Sequence, residues 1–292
     1  MPDKRLIADY VRPLTPIPTG LTPSGRIIHP VTCVFFDIYG TLFISASGDI
    51  GTSTGMDRNT RRLAGLLDKY NLRADHRTLQ DNLWAAVRAE HTKSKKKGIN
   101  FPEVRIEQIW LQVLNISDRE RAKNFAIEYE WLVNPVYPMP GLAKMLGELK
   151  RMNIRMGIIS NAQFYTPWLF EWLLGSDMAH LGFEKGLTFF SCDLGCAKPS
   201  QTIFNRAIQS LKRKKIPPGT TLYAGNDMLN DIYPATRCGM QTALFAGDNR
   251  SLRLRADHPE CRGLAADLVI TDLMQLPALI RATGQDKKKC SP

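Results

Sequence analysis

Residues 31–43 read "VTCVFFDIYGTLF", an apolar run that ends in an acid, Asp37, and turns at Gly40. The run Val31 to Phe36 has the length and β-branched, aromatic content of a strand buried on both faces. An acid at the end of such a strand costs desolvation energy unless its charge is used there. One reading makes Asp37 a turn cap, since Asp-x-x-Gly is common at strand ends. The other makes it a nucleophilic or metal-binding carboxylate at the mouth of a parallel sheet.

Working outward, four more short apolar runs follow: "IRMGIIS" (154–160), "GLTFFS" (186–191), "TTLYAG" (220–225) and "QTALFAG" (241–247). Helical patterns alternate with them, from 141, from 166 with a Thr-Pro start, and from 202. Strands alternating with helices predict an α/β fold, a Rossmann-like doubly wound parallel sheet with helices on both faces. Between 46 and 135 the period is helical throughout, which predicts an all-helical domain inserted after the first strand. The expected organisation is an irregular, proline-broken extension over 1–30, a core over 31–45 plus 136–280, the helical insertion over 46–135, and a basic tail over 281–292.

Composition sets bounds. The chain has 292 residues, 43% of them hydrophobic and 23% charged, as in ordinary globular proteins. Its six cysteines, at 33, 192, 196, 238, 261 and 290, show no Cys-x-x-Cys spacing and read as free thiols of a reducing cytoplasm. The first residues carry no signal-peptide core, and no apolar run reaches the length of a membrane span. The net charge of +11 comes from clusters at 93–97, 212–215, 250–255 and 287–289. They are scattered and lack interleaved aromatics, so they read as solvated faces rather than a nucleic-acid surface. The surplus still favours a small anionic substrate. Trp168 and Trp172, four apart on one helix, read as core or as a subunit contact, which leaves a homo-oligomer open.

Ligands of open α/β sheets bind beyond the carboxyl ends of the strands. There the first strand presents Asp37 and Thr41, and the second Ser160 and Asn161. Lys198 follows the third strand, and the fourth presents Asn226, Asp227, Asn230 and Asp231. A carboxylate, a hydroxyl–amide pair, an ammonium and an acidic pair thus converge on one rim. In the helical block His91, Lys93 and Glu107 are further residues that could face a substrate, and they stay outside this set.

The ordered segments "DIYGTL", "IISNA", "GCAKPSQTIF" and "GNDMLNDIYPATRCGM" resemble the haloacid dehalogenase-like superfamily over about residues 31–280. The helical block lies where that family carries a helical cap. The resemblance implies a hydrolase with Asp37 as nucleophile, Thr41, Ser160 and Asn161 around the transferred group, and Lys198 as balancing cation. It further implies Mg²⁺ held by Asp37, the Tyr39 carbonyl and the acids of "GNDMLND". Oxygen-only donors of this kind suit Mg²⁺. Asn226 falls where the family's acid usually stands, while Asp227 and Asp231 keep an Asp-x-x-x-Asp spacing, so two metal arrangements stay open.

Tyr39 departs from the family's phosphatases, which carry an aspartate there to protonate the leaving group. With a pKa of about 10, a tyrosine is a poor proton shuttle at neutral pH. The L-2-haloacid dehalogenase branch shares Asp-x-Tyr-Gly-Thr, and a halide leaves without a proton. Against that branch, "FISASG" follows where those enzymes continue Phe-Asp, and no counterpart of their cap motifs is evident. The expectation is therefore a phosphatase-like hydrolase first, a dehalogenase second, and a non-catalytic binding protein third.

Overall fold

A computed structural model of the chain describes residues 3–48, 56–72 and 75–289. A central sheet of seven strands runs in the order β1-β9-β8-β7-β2-β5-β6, where β2 is Cys33–Phe36, β5 Arg155–Ser160, β6 Phe183–Phe190, β7 Thr221–Gly225 and β8 Gln241–Phe245. Two strands at one end of this sheet lie outside the sequence expectation. Leu268–Ile270 (β9) adds in parallel to β8, and Ser24–Gly25 (β1) pairs antiparallel with β9. Both are too short for their periodicity to register, and β1 lies in the segment read as an irregular extension.

β2 is central because all four of its residues are buried. Val34 and Phe36 join the cluster formed with helices α5 (Leu142–Arg151), α6 (Trp168–Leu174) and α10 (Gln275–Lys289). Cys33 and Phe35 point to the opposite face, against α8 (Gln201–Arg213), which follows the short helix α7 (Ser191–Leu194), and against α9 (Tyr233–Arg237). This is the period-two alternation of a strand sandwiched between helical layers. In parallel register Phe36 lies opposite Ile158 of β5 and Ala224 of β7, so Asp37 emerges level with the ends of both neighbours. Helix α10 continues to Lys289, through the point at residue 280 where the sequence reading begins a tail. Trp172 is a core residue, 2% exposed, with its ring against Trp168 and Trp131.

Strands β3 (Phe43–Ser45) and β4 (Val136–Pro138) form a two-stranded antiparallel ribbon. Between them lie α1 (Met56–Lys69), α2 (His76–Lys96), α3 (Ile106–Val113) and α4 (Arg119–Val133). These helices pack around a cluster of their own, in which Trp110 meets the rings of Phe125 and Tyr129 at 4.8 Å. Five cysteines, 33, 192, 196, 238 and 261, are free thiols, and Cys290 lies outside the described residues. Among the described residues no helix is long and apolar enough to cross a membrane.

The first residues are tied into this frame. Ile7 is fully buried in the main core. The wholly buried carboxylate of Glu128, on α4, accepts hydrogen bonds from Tyr10 (2.9 Å), Tyr70 (2.7 Å) and Lys69 (2.7 Å). A buried carboxylate needs such donors, and each bond to a charged group contributes more than a neutral one. Tyr10→Phe is therefore expected to lower unfolding free energy by about 1–3 kcal/mol in urea titration. An unchanged midpoint would show that the extension does not brace the helices.

Candidate active site

Asp37 continues the β2–β7 ladder by donating its N–H to Ala224 (2.9 Å), which fixes its side chain at the carboxyl edge of the sheet. Gly40 then turns the chain at φ +81°, and a Cβ there would run into Ser251. That close approach, as much as the positive φ, requires glycine at this position. Gly225, at the end of β7, likewise leaves room for the carboxylate of Asp231.

Lys198 joins the strand ends. Its ammonium, 5% exposed as a residue, donates to Asp37 Oδ1 (2.6 Å), Asp231 Oδ1 (2.5 Å) and Tyr223 Oη (3.2 Å). Burial works against its charge, but Asp231 and Asp37 together outweigh burial and hold its pKa above the ordinary lysine value. For Asp231 burial dominates over the pull of Lys198 and pushes the carboxyl up to about 6. Two acids thus share one cation, and burial raises the pKa of Asp231 in spite of it.

The other sequence candidates divide by what they touch. Asn161 accepts from the Lys198 N–H (2.7 Å) and donates to its carbonyl (3.5 Å), so it positions the lysine backbone. Ser160 donates to the Asn161 carbonyl (3.2 Å), and Thr41 donates to Asn226 Oδ1 (2.9 Å). Both hydroxyls are fully buried behind the residues that line the pocket over Asp37. That pocket, about 40 Å³, is walled by Asp37, Tyr39, Asn161, Lys198, Asn226 and Asp231, with Asp227, Asn230 and Arg253 beside them. The Tyr39 hydroxyl shares a hydrogen bond with Thr166 (3.0 Å), and burial drives its pKa well above the usual tyrosine value.

The metal donors expected from sequence are narrowed by these contacts. Asp227 caps the π turn Met228–Ile232 by accepting from the Leu229 and Asn230 amides, and Arg255 pairs with it at 2.7 Å. Asp231 accepts from Lys198, Tyr223 and the Asp227 N–H. Both acids are engaged by protein donors, and among the described residues no three His, Cys, Asp or Glu side chains form a metal cluster. Asn226 is oriented by donating to the Ser251 carbonyl (2.6 Å). Its amide oxygen, the Asp37 carboxylate and the Tyr39 carbonyl make an oxygen-only set that suits Mg²⁺. Ser251 Oγ, buried in the same pocket wall, has no hydrogen-bond partner among the described residues.

Sequence reasoning missed Tyr223, Ser251, Arg253 and Arg255. Tyr223 was legible as a hydroxyl inside a buried strand. The arginines belong to the cluster read as a solvated face. Instead, Arg253 donates to the carbonyls of Arg250 (2.7 Å) and Gly48 (3.4 Å), and Arg250 pairs with the buried Asp248 (3.0 Å). In the helical block, His91 borders a cavity, whereas Lys93 pairs with Glu90 on the surface (3.3 Å).

A family model described as a haloacid dehalogenase-like hydrolase matches residues 31–239. Two relatives are glyceraldehyde 3-phosphate phosphatases, from Methanothermobacter thermautotrophicus and Methanocaldococcus jannaschii. Each is 32% identical, over 143 and 105 residues, or 49% and 36% of this chain. The matches span 58% and 42% of those proteins, so the chain aligns with only about half of their length. A solved 2-haloacid dehalogenase from Pseudomonas syringae pv. Tomato superposes with a TM-score of 0.53 at 19% identity, over 86% of this chain and 99% of that one. A defluorinating L-2-haloacid dehalogenase gives 0.52 at 17% identity, over 86% and 95%. At such identities the likeness establishes the fold alone.

The shared ammonium generates a stability prediction with a definite sign. Lys198→Ala leaves two buried carboxylates uncompensated, a loss of about 3–5 kcal/mol. Asp231 has a folded pKa of about 6, above the ordinary value of 3.8 that it has when unfolded, so its contribution is complete at low pH and is lost as pH rises through 6. Without Lys198 that pKa climbs further. Urea unfolding should therefore show the deficit largest at about pH 8 and shrinking towards about pH 5. A deficit independent of pH would contradict the shared-cation arrangement.

Proposed function

We propose that this chain, which belongs to the haloacid dehalogenase-like hydrolase family, hydrolyses a small phosphate monoester through a covalent intermediate on Asp37. The observation that carries this reading is the Asp37 carboxylate itself. It is nearly buried, is held by Lys198 through Oδ1, and opens on a small pocket at the carboxyl edge of a parallel sheet. The names of the two phosphatase relatives support the same choice of substrate class.

In the first step an Asp37 carboxylate oxygen attacks phosphorus, the bond from phosphorus to the leaving oxygen breaks, and an aspartyl phosphate forms. In the second, water attacks the same phosphorus, the acyl–phosphate bond breaks, and the carboxylate and inorganic phosphate are released. Water supplies the proton that the departing alkoxide needs. A carboxylate and a phosphoryl group repel each other, and Lys198 offsets that repulsion. Asn161 holds the lysine backbone, and Thr41 holds Asn226. Asp37, the Tyr39 carbonyl and Asn226 would hold Mg²⁺, with Asp227 retained by Arg255. Bound there, the ion would withdraw charge from the phosphoryl oxygens. With one carboxylate among three protein donors, that site would be weaker than the family's acid-rich version.

Tyr39 favours one second reading, displacement of halide from a 2-haloacid, because a halide departs without a proton. Under either reading Tyr39 does not transfer protons, since its hydroxyl is buried against Thr166 with a pKa far above neutrality.

Assays of phosphate esters and 2-haloacids, each with and without Mg²⁺, separate the readings. The expected result is Mg²⁺-stimulated phosphate release, faster from aryl than from alkyl esters because no built-in acid protonates the leaving oxygen. Metal-independent halide release would replace the proposal with the second reading, and inactivity on both panels would favour a binding protein. Tyr39→Phe should retain activity within a few-fold while losing about 1 kcal/mol of stability. A loss approaching the 10²- to 10⁴-fold contribution of a general acid would show that the hydroxyl does move a proton.

A further inference from the structure

Residues 10–29 cross the molecule as a strap anchored at both ends. Tyr10 donates to Glu128 of α4 (2.9 Å), and the N–H groups of Ile28 and His29 donate to Gln241 Oε1 at the start of β8 (2.7 and 2.8 Å). Between these anchors, residues 15–19 run along the loop that follows β8. The Ile17 N–H donates to Asp248 Oδ1 (3.0 Å), and the Asn249 N–H donates back to the Ile17 carbonyl (2.8 Å). Arg250 Nη1 donates to the Thr15 carbonyl (2.9 Å), and the Thr19 hydroxyl to the Ala246 carbonyl (2.8 Å). Asp248 is 1% exposed, so its carboxylate depends on the Ile17 N–H and on its pairing with Arg250.

The loop held in this way is a wall of the Asp37 pocket. The Asp248 carbonyl accepts from the N–H groups of Ser251 and Leu252 (3.2 and 3.1 Å), and this turn sets Ser251 against Gly40. The Ser251 carbonyl then accepts from Asn226 Nδ2 (2.6 Å). Beside it the Arg253 N–H donates to the Asn226 carbonyl (3.0 Å), and the Met228 N–H donates to the Arg253 carbonyl (2.9 Å). A continuous path of covalent and hydrogen bonds thus joins Ile17 to the Asn226 side chain. The family model matches residues 31–239, so the strap and the loop it holds both lie outside the matched residues.

Building on the hydrolase reading above, we propose that the strap is a positioning element of the site. Residues 15–17 fix the loop 248–253, and that loop fixes the side chain of Asn226, whose oxygen would serve Mg²⁺. An asparagine needs this support more than an aspartate would. A carboxylate presents two equivalent oxygens, whereas an amide turned by half a revolution presents N–H donors to the cation. The Ser251 carbonyl accepts only from the nitrogen and so decides which end is which. Ile17 acts through its backbone, since the residue is 44% exposed.

Two substitutions at one position test this. Ile17→Pro deletes the N–H and suits the extended backbone that Pro18 already imposes on residue 17, whereas Ile17→Ala keeps the N–H. Hydrogen–deuterium exchange of the full chain is expected to show amides at 226–228 and 251–253 exchanging about tenfold or more faster in Ile17→Pro. Those of β5 should be unchanged, and Ile17→Ala should match the unaltered protein. Arg250→Met, which breaks the Thr15 contact from the loop side, repeats the comparison without a proline. With 4-nitrophenyl phosphate, Ile17→Pro should raise the half-saturating Mg²⁺ concentration about threefold or more while the rate at saturating Mg²⁺ is retained. Unaltered exchange at 226–228, an equal response in Ile17→Ala, or phosphate release whose Mg²⁺ requirement is absent or unmoved would overturn the proposal. If the exchange responds but the unaltered protein releases no phosphate, the hydrolase reading fails and the positioning role of the strap stands.

Discussion

The ammonium of Lys198 is the interaction on which the site depends. Asp37 comes from the end of β2 and Asp231 from the turn after β7, and like charges placed so close repel unless a cation sits between them. Lys198 arrives from the loop before α8, with Asn161 of the β5 end clasping its backbone. Three strand ends are thereby locked around one buried charge. Tyr223 completes the arrangement from within β7, its one hydroxyl proton shared between the Ile159 carbonyl (2.8 Å) and Asp231 (3.0 Å). The arrangement is specific rather than cheap, because each charge forgoes hydration and is stable only with its partners present.

The same constraint explains how the rim divides its labour. With one cation shared by two acids, the resting cluster has little spare positive charge for an incoming anion. Asp227 cannot relieve this, since it caps the turn that carries Asp231 and is paired with Arg255. The neutral amide of Asn226 stands at the pocket wall instead, oriented between Thr41 and the Ser251 carbonyl. Under the proposed reading an anion would meet fewer charges here than at an acid-rich metal centre.

Much of the fold was legible because the inner strands β2, β5, β7 and β8 are buried on both sides and read as continuous apolar runs. Asp37 announced itself by ending such a run. Lys198, Asp231 and the rest of the rim could be placed because strand ends in a parallel sheet share one edge. What sequence did not reveal were relations set by tertiary contact. β1 and β9 are two and three residues long, below any period. The arginines at 250–255 form one cluster in sequence, yet they reach a buried aspartate, backbone carbonyls and Asp227. Asp227 and Asn226 are neighbours in sequence with opposite fates, which only the positions of Arg255 and Ser251 decide. His91 looked like any polar residue of a long helix until the fold brought it to the cavity beside Asn161.

The central claim is that Asp37 becomes covalently phosphorylated. Acid quenching of the protein during turnover of a phosphate ester, followed by peptide mass spectrometry, tests it most directly. The account predicts a peptide containing Asp37 that gains the mass of one phosphoryl group, and loss of that species when Asp37 is replaced by Asn. Phosphate release that continues unchanged in the Asn variant, or a phosphoryl group found on another residue, would contradict it.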